Sequence, residues 1–264
     1  MNKSNFVKLY KGISPLLLIA ILWKLISWLL MISKGVPFPT PEDVFIEFIG
    51  YLRGTDLLGH SLAAQTWATV QRWLLGYFIG STVGIVIGLF CTLSEWPAMA
   101  LYPVVLMVQM VPGLAWIPVG ILMVGIGPET TIFIIILATF PPVTIGIIEG
   151  IRGVPTEFLF VSQMCGDKPL RRFFMTQLPA ALPSFITGMR LALANSWRVV
   201  VAAEMVVGTG LGLGYAILQS RWDMNYEASF VCIGVIVFLG ILVERWGFSL
   251  IERYTLKRWG MLSE

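Results

Sequence analysis

Charge is what this chain has least of. Only 12% of its 264 residues are Asp, Glu, Lys or Arg, and the net charge is +3. Soluble domains carry roughly 25% charged residues, so a water-soluble core is excluded. The small positive balance gives no reason to expect a nucleic-acid partner. Histidine is nearly absent, with His60 alone, which removes His-based zinc sites and intramembrane Ser–His chemistry. The cysteines, Cys91, Cys165 and Cys232, are odd in number and show no CxxC spacing; neither a disulfide framework nor a metal site is expected. No GxxxxGK[ST] occurs, and the glycine-rich GTGLGLG at 208–214 does not fit GxGxxG. That segment reads as a flexible outer turn. Internal repeats and low-complexity tracts are also missing.

What the chain does have is long apolar runs. It is 57% hydrophobic with a mean hydropathy of +0.82, and a membrane-spanning helix needs about 20 mostly apolar residues. Six stretches qualify: Ile13–Ile32, Trp73–Leu93, Ala98–Val124, Thr130–Ile148, Leu182–Val207 and Phe230–Ile251. The first follows Lys3, Lys8 and Lys11 but exceeds a signal h-region of roughly 7–15 residues, so it reads as a retained span. Pro103, Pro112, Gly113 and Pro118 predict a break in the third span near Val111–Gly113, because proline removes a helix donor and clashes with the preceding turn. Pro141–Pro142 predicts the same for the fourth. The fold class expected is an all-α integral membrane protein with six transmembrane helices.

Six spans place both termini on one side. With the N-terminus inside, eleven basic residues (Lys3, Lys8, Lys11, Arg152, Lys168, Arg171, Arg172, Arg245, Arg253, Lys257 and Arg258) face the cytoplasm, and four (Lys34, Arg53, Arg72 and Arg221) face outward. That follows the positive-inside bias. Outside, Thr40 is a helix N-cap candidate, with Pro41 in the first turn and Asp43 in its acidic start. Segment 60–72 is amphipathic and is expected to continue into the second span.

One cytoplasmic stretch, Glu157–Pro183, interrupts this pattern. It carries Asp167, Lys168, Arg171 and Arg172, yet spaces Phe158, Val161, Phe173 and Leu178 like buried helix positions. A charged amphipathic loop between spans has to sit in water and touch something.

Inside the spans, charges are expensive and therefore candidates for function. Arg198 and Glu204 lie in the fifth span, six residues or about 240° apart, so each needs a partner from another helix, a second subunit or water. Arg198 can supply positive potential to a path for an anion or form a structural ion pair; both readings stay open. The translocation-path candidates are Met110, Trp197, Arg198 and Glu204, with Met107 and Trp116 as further cavity or packing residues. Lys24 reads as a snorkelling residue, and Glu129 as a charge at the positive end of the fourth span. Gly76, Gly80, Gly84 and Gly88 recur every four residues, a pattern that permits close helix approach.

Two motifs resemble a known family. Gly166, Phe173 and Leu178–Pro179 reproduce GxxxxxxFxxxxLP, the second half of the cytoplasmic EAA loop of binding-protein-dependent, type I ABC-importer permeases. The run GMRLALANSWRVVVAAEM at 188–205 is similar to the fifth span of the nitrate/sulfonate/taurine/bicarbonate permease subfamily. The resemblance divides the chain into an N-terminal span and outer proline-rich segment at 1–59, a type I transmembrane domain at 60–252 with its coupling loop at 150–181, and a cytoplasmic tail at 253–264. It implies a non-catalytic permease subunit of a prokaryotic plasma (inner) membrane. Such a subunit moves a small, anionic solute by alternating access.

The implied partners are a second permease copy, two cytoplasmic ATPases that hold the ATP and Mg, an external substrate-binding protein and the lipid bilayer. No cofactor or metal on this chain is implied. The ATPase-coupling residues would be Glu157, Phe160, Gly166, Asp167, Phe173, Leu178 and Pro179. They are expected on two short helices at 156–164 and 168–175, with Asp167 capping the second. The sequence departs from the family at Phe160, which falls where the loop acid belongs; Glu157, one turn upstream, is the acid that could replace it. Outside this class, a secondary transporter would show an internal repeat with intramembrane carboxylates, and a membrane enzyme a catalytic constellation. Neither is visible.

Overall fold

The structure, a computed structural model, describes residues 3–35 and 37–248, without the side chains of 3–13, 16 and 246–248. The expected tail at 253–264 and the end of the sixth span lie outside the described residues. Helices dominate. α1 (Lys3–Lys34) is followed by the short helix α2 (Pro41–Leu52), then α3 (Leu62–Leu93). The amphipathic 60–72 segment does run into the second span, as one 32-residue helix. α4 (Glu95–Met110), a 3-10 turn (Gly113–Trp116) and α5 (Ile117–Val124) follow, bent by 102° at the break. This is the break that Pro112 and Gly113 predict.

Pro141–Pro142 does not act as expected. α6 (Pro128–Arg152) runs straight through both prolines. Each proline lacks the N–H that would bond the carbonyl four residues back, which frees Leu137 and Ala138. Both residues line a cavity, so water can satisfy the carbonyls without breaking the helix.

The charged stretch between the spans forms α7 (Thr156–Met164), one turn of α8 (Pro169–Arg172) and a π-turn (Phe173–Gln177) that passes directly into α9 (Leu178–Val207). α10 (Leu213–Trp222) and α11 (Tyr226–Leu242) complete the chain, α11 ending in a π-turn at Val243–Phe248. By length and apolarity, four helices qualify as membrane spans, or five with the bent α4–α5 pair, among the described residues. α9 covers the remaining expected span and is 30 residues long, but it carries Arg190, Arg198 and Glu204 and falls outside that set.

α6 is the centre of the bundle. It packs on α3 through one face and on α9 through the other, and glycine makes both contacts close. A Cβ on Gly76, Gly80 or Gly84 of α3 would lie 2.5–2.8 Å from Ile135, Thr139, Phe140 or Val143 of α6. On the adjoining face, a Cβ on Gly188 would lie 2.6 Å from the Pro142 carbonyl oxygen.

α1 stands mostly clear of the bundle and is tied on at its outer half. Trp23 stacks on Phe230 at 5.1 Å, and Trp23 Nε1 donates to the Pro39 carbonyl. Lys24 does not simply snorkel; it pairs with Glu42 of α2. The Lys24 ammonium beside Glu42 holds that carboxyl below the usual carboxylate range, so this surface tie weakens as pH falls through the Glu42 value. Thr40 caps α2, as expected, and Asp43 returns the bond to complete a capping box that was not part of that expectation.

Candidate functional sites

Three places bring the sequence's candidate residues into relief. The first is the charged loop between α6 and α9. α7 ends in a left-handed turn at Gly166, with φ +80°. Gly166 N–H bonds to Gln163 O and Asp167 N–H to Ser162 O, the two bonds of a Schellman motif. A Cβ-bearing residue is strained at that φ, which is the physical reason for glycine there. Asp167 does not cap the second helix. α8 has Lys168 at its N-cap with no side-chain cap bond. Asp167 instead accepts from Ser162 Oγ at 2.9 Å and pairs with Arg171 at 3.2 Å, which locks the turn.

Phe158 and Val161, spaced like buried positions, are exposed. On α7, Glu157, Phe160, Val161 and Met164 follow the i, i+3, i+4, i+7 rule and share one face. Phe160 is 63% exposed, Val161 60% and Met164 88%. Leu170, Phe174 and Met175 add exposed apolar surface beside it. Phe173 is half-buried and meets Phe174 edge-on at 5.2 Å. Pro179 lies in the first turn of α9 and, like Pro183, gives no N–H to the preceding turn. The widened π-turn sits directly before it. Helix therefore continues without a break from Pro169 to Val207.

The second place is the C-terminal end of α9. Glu204 is fully buried. Its Oε1 accepts from Arg72 Nη1 at 2.7 Å, and its Oε2 accepts from Thr69 Oγ1 at 2.8 Å and from the Gly214 N–H at 3.0 Å. Arg72 also donates to the Leu211 carbonyl. Gln65 Oε1 accepts from Gly212 N–H, and Thr69 Oγ1 from Leu213 N–H. The N-terminus of α10 thus points at the carboxylate, which its dipole favours.

The second half of segment 208–214 is accordingly no flexible turn; Leu211–Gly214 is bonded to α3 and α9. Its glycines make this possible, since a Cβ on Gly212 would lie 2.6 Å from the Glu204 carboxylate. Arg72, Thr69 and Gln65 were not singled out from the sequence. A usable signal was present: Arg72 at the outer start of the second span and Glu204 at the outer end of the fifth lie at one membrane face.

The third place is the α4 break. Arg198 lies at a cavity of about 280 Å³ with Asn195, Gln109 and Trp116. Met110 is exposed and is not among its lining residues. Trp197 is buried against Trp73 at 5.2 Å, edge-to-face, beside the Trp73 Nε1 bond to Ser196 Oγ. The structure thus separates the path candidates. Arg198 alone of the four lines this cavity, Glu204 is enclosed by α3 and α10, and Trp197 is enclosed by packing.

Comparison with known proteins decides the family. Residues 80–256 match the model of the binding-protein-dependent transport system inner membrane component. The chain belongs to this family. The permease is 30% identical over 251 residues to a putative ABC transporter permease protein of Methanocaldococcus jannaschii, covering 95% of this chain and 92% of that one. It is 32% identical to the putative aliphatic sulfonates transport permease protein SsuC of Bacillus subtilis, covering 92% and 85%. It is 30% identical to the nitrate import permease protein NrtB of Synechocystis sp., covering 91% and 87%. A structure of the MetNI methionine ABC transporter in an inward-facing conformation superposes with a TM-score of 0.61 at 19% identity, over 74% of this chain and 95% of that one. At that identity the likeness is one of fold. The permease therefore has the type I ABC-importer fold and is a multi-pass transport component of the inner membrane. The family's members are transport components, with ATP hydrolysis on a separate subunit.

Proposed function

We propose that this permease forms half of the translocation path of an ATP-driven importer, with the loop Thr156–Gln177 as the surface on which a cytoplasmic ATPase docks. The observation that carries this reading is the exposed Glu157–Phe160–Val161–Met164 face on α7, joined through α8 to α9. A docking knob has to be apolar on its contact face and rigid on its tether, and this one has both properties. Glu157 shares the face with Phe160, so it supplies an acid one turn from where the family carries one. A second copy of the chain would complete the path, ATP and Mg would sit on the ATPases, and an external binding protein would deliver the solute. Both termini would lie in the cytoplasm. The sulfonate- and nitrate-related names of similar permeases, together with Arg198, favour a small anionic solute.

Co-purification with the ATPase and uptake into proteoliposomes test this. The parent complex should retain the ATPase and accumulate solute only with ATP. Phe160→Asp should release the ATPase. Gly166→Val, strained by about 1–2 kcal/mol at its positive φ, should lower coupled uptake more than membrane insertion. Uptake that persists with no ATPase present would defeat the reading.

A further inference from the structure

Among the described residues, Arg198 is a cation without a counter-charge. The ion pairs among the described residues join Lys24 to Glu42, Arg72 to Glu204, Arg171 to Asp167 and Arg190 to Glu244. Arg198 takes part in none of them. It follows Asn195 by three residues on α9, so the two side chains share a face, and both are exposed. The 3-10 turn of the broken span is held beside them, since a Cβ on Gly113 would lie 3.0 Å from Val199 Cγ2. Gln109 and Trp116 close the same cavity, which no Asp or Glu lines. The Trp116 indole nitrogen is buried and has no acceptor. An arginine without a counter-charge and a buried indole N–H without an acceptor are costly in an apolar bundle unless water or a ligand meets them.

We propose that this cavity is a transient site for a small oxyanion during transport. Arg198 faces its charge, and Asn195, Gln109 and Trp116 donate to its remaining oxygens. The inference rests on the importer reading and extends it from solute class to named groups. The volume of about 280 Å³ falls at the lower edge of the roughly 300–1,000 Å³ that drug-sized ligands occupy, which favours a solute of a few heavy atoms. The carbonyls freed at Leu137 and Ala138 are left to water, which an open polar cavity admits.

The test uses the full complex with its ATPase and binding protein in proteoliposomes. Uptake of nitrate, bicarbonate and methanesulfonate is measured beside ATP hydrolysis at saturating binding protein. For whichever anion the parent transports, Arg198→Gln should lower maximal uptake about tenfold or more, the scale of a lost charge-assisted bond. Arg198→Lys should recover a large part of it. Trp116→Phe should lower uptake about threefold, the scale of one neutral hydrogen bond, with ATP hydrolysis still stimulated by loaded binding protein.

Parental uptake in both Arg198→Gln and Trp116→Phe overturns the site while leaving the importer reading intact. If Arg198→Gln fails to assemble, Gln109→Leu and Trp116→Phe decide the matter, and parental uptake in both overturns the site. ATP-driven uptake of a neutral solute and none of the three anions overturns the site and the anionic reading together. Absence of ATP-dependent transport of any solute overturns the importer reading itself.

Discussion

Glu204→Ala is expected to leave little correctly folded permease in the membrane. The substitution removes one side chain but takes an acceptor from three donors at once: Arg72 Nη1, Thr69 Oγ1 and the Gly214 N–H. Arg72 would keep only the Leu211 carbonyl, inside a site where its side chain is 11% exposed. Breaking a buried ion pair from one side costs about 3–5 kcal/mol, a large fraction of the roughly 5–15 kcal/mol by which a domain is stable. Glu204→Gln should fall between, because the amide oxygen still accepts one bond. The double variant Arg72→Leu with Glu204→Leu should recover part of the loss, since an apolar pair strands no charge. Monodisperse yield and thermal unfolding in detergent measure this. An unchanged melting temperature for Glu204→Ala would show that the pair does not hold the outer ends of α3, α9 and α10 together.

The second large effect concerns α6 and its two glycine-lined neighbours. Gly188→Leu should abolish assembly, because even its Cβ would lie 2.6 Å from the Pro142 carbonyl oxygen and 3.1 Å from Gly146 Cα. Those are backbone atoms, which cannot rotate away. Gly84→Leu should act in the same way from the other side, at 2.7 Å from the Phe140 carbonyl oxygen. The alanine variants carry only the Cβ and should cost about 1–3 kcal/mol, the usual scale of overpacking. Gly234→Ala on α11 is the control. Nothing lies within 4 Å of its added Cβ, so it should keep parental stability. Equal melting temperatures across Gly84→Ala, Gly188→Ala and Gly234→Ala would contradict the close contacts on α6.

Local features were the legible ones. The Gly166 turn, the Thr40 cap and the break at Pro112–Gly113 each depend on a few neighbouring residues, and each appears where its residue types require. The expected effect of Pro141–Pro142 failed for a reason that is not local. A helix can carry two missing donors when tight neighbours on α3 and α9 hold it and a cavity meets the freed carbonyls. The Asp167 cap failed because the side chain had a better use, with Ser162 Oγ and Arg171 both in reach. Segment 208–214 looked flexible because glycine was read as freedom. In the fold its glycines provide room for α10 to close on Glu204.

By itself the sequence determined the membrane class, the positions of the apolar stretches and the presence of a charged amphipathic loop between two of them. Composition and short-range periodicity carry that information directly. Only the tertiary structure decided that Arg72 meets Glu204 across 132 residues, that α6 is the shared core, and that Arg198 opens on a cavity while Trp197 does not. Those outcomes depend on which faces of distant helices meet. That is set by packing summed over the whole bundle, and no local run of residues contains it.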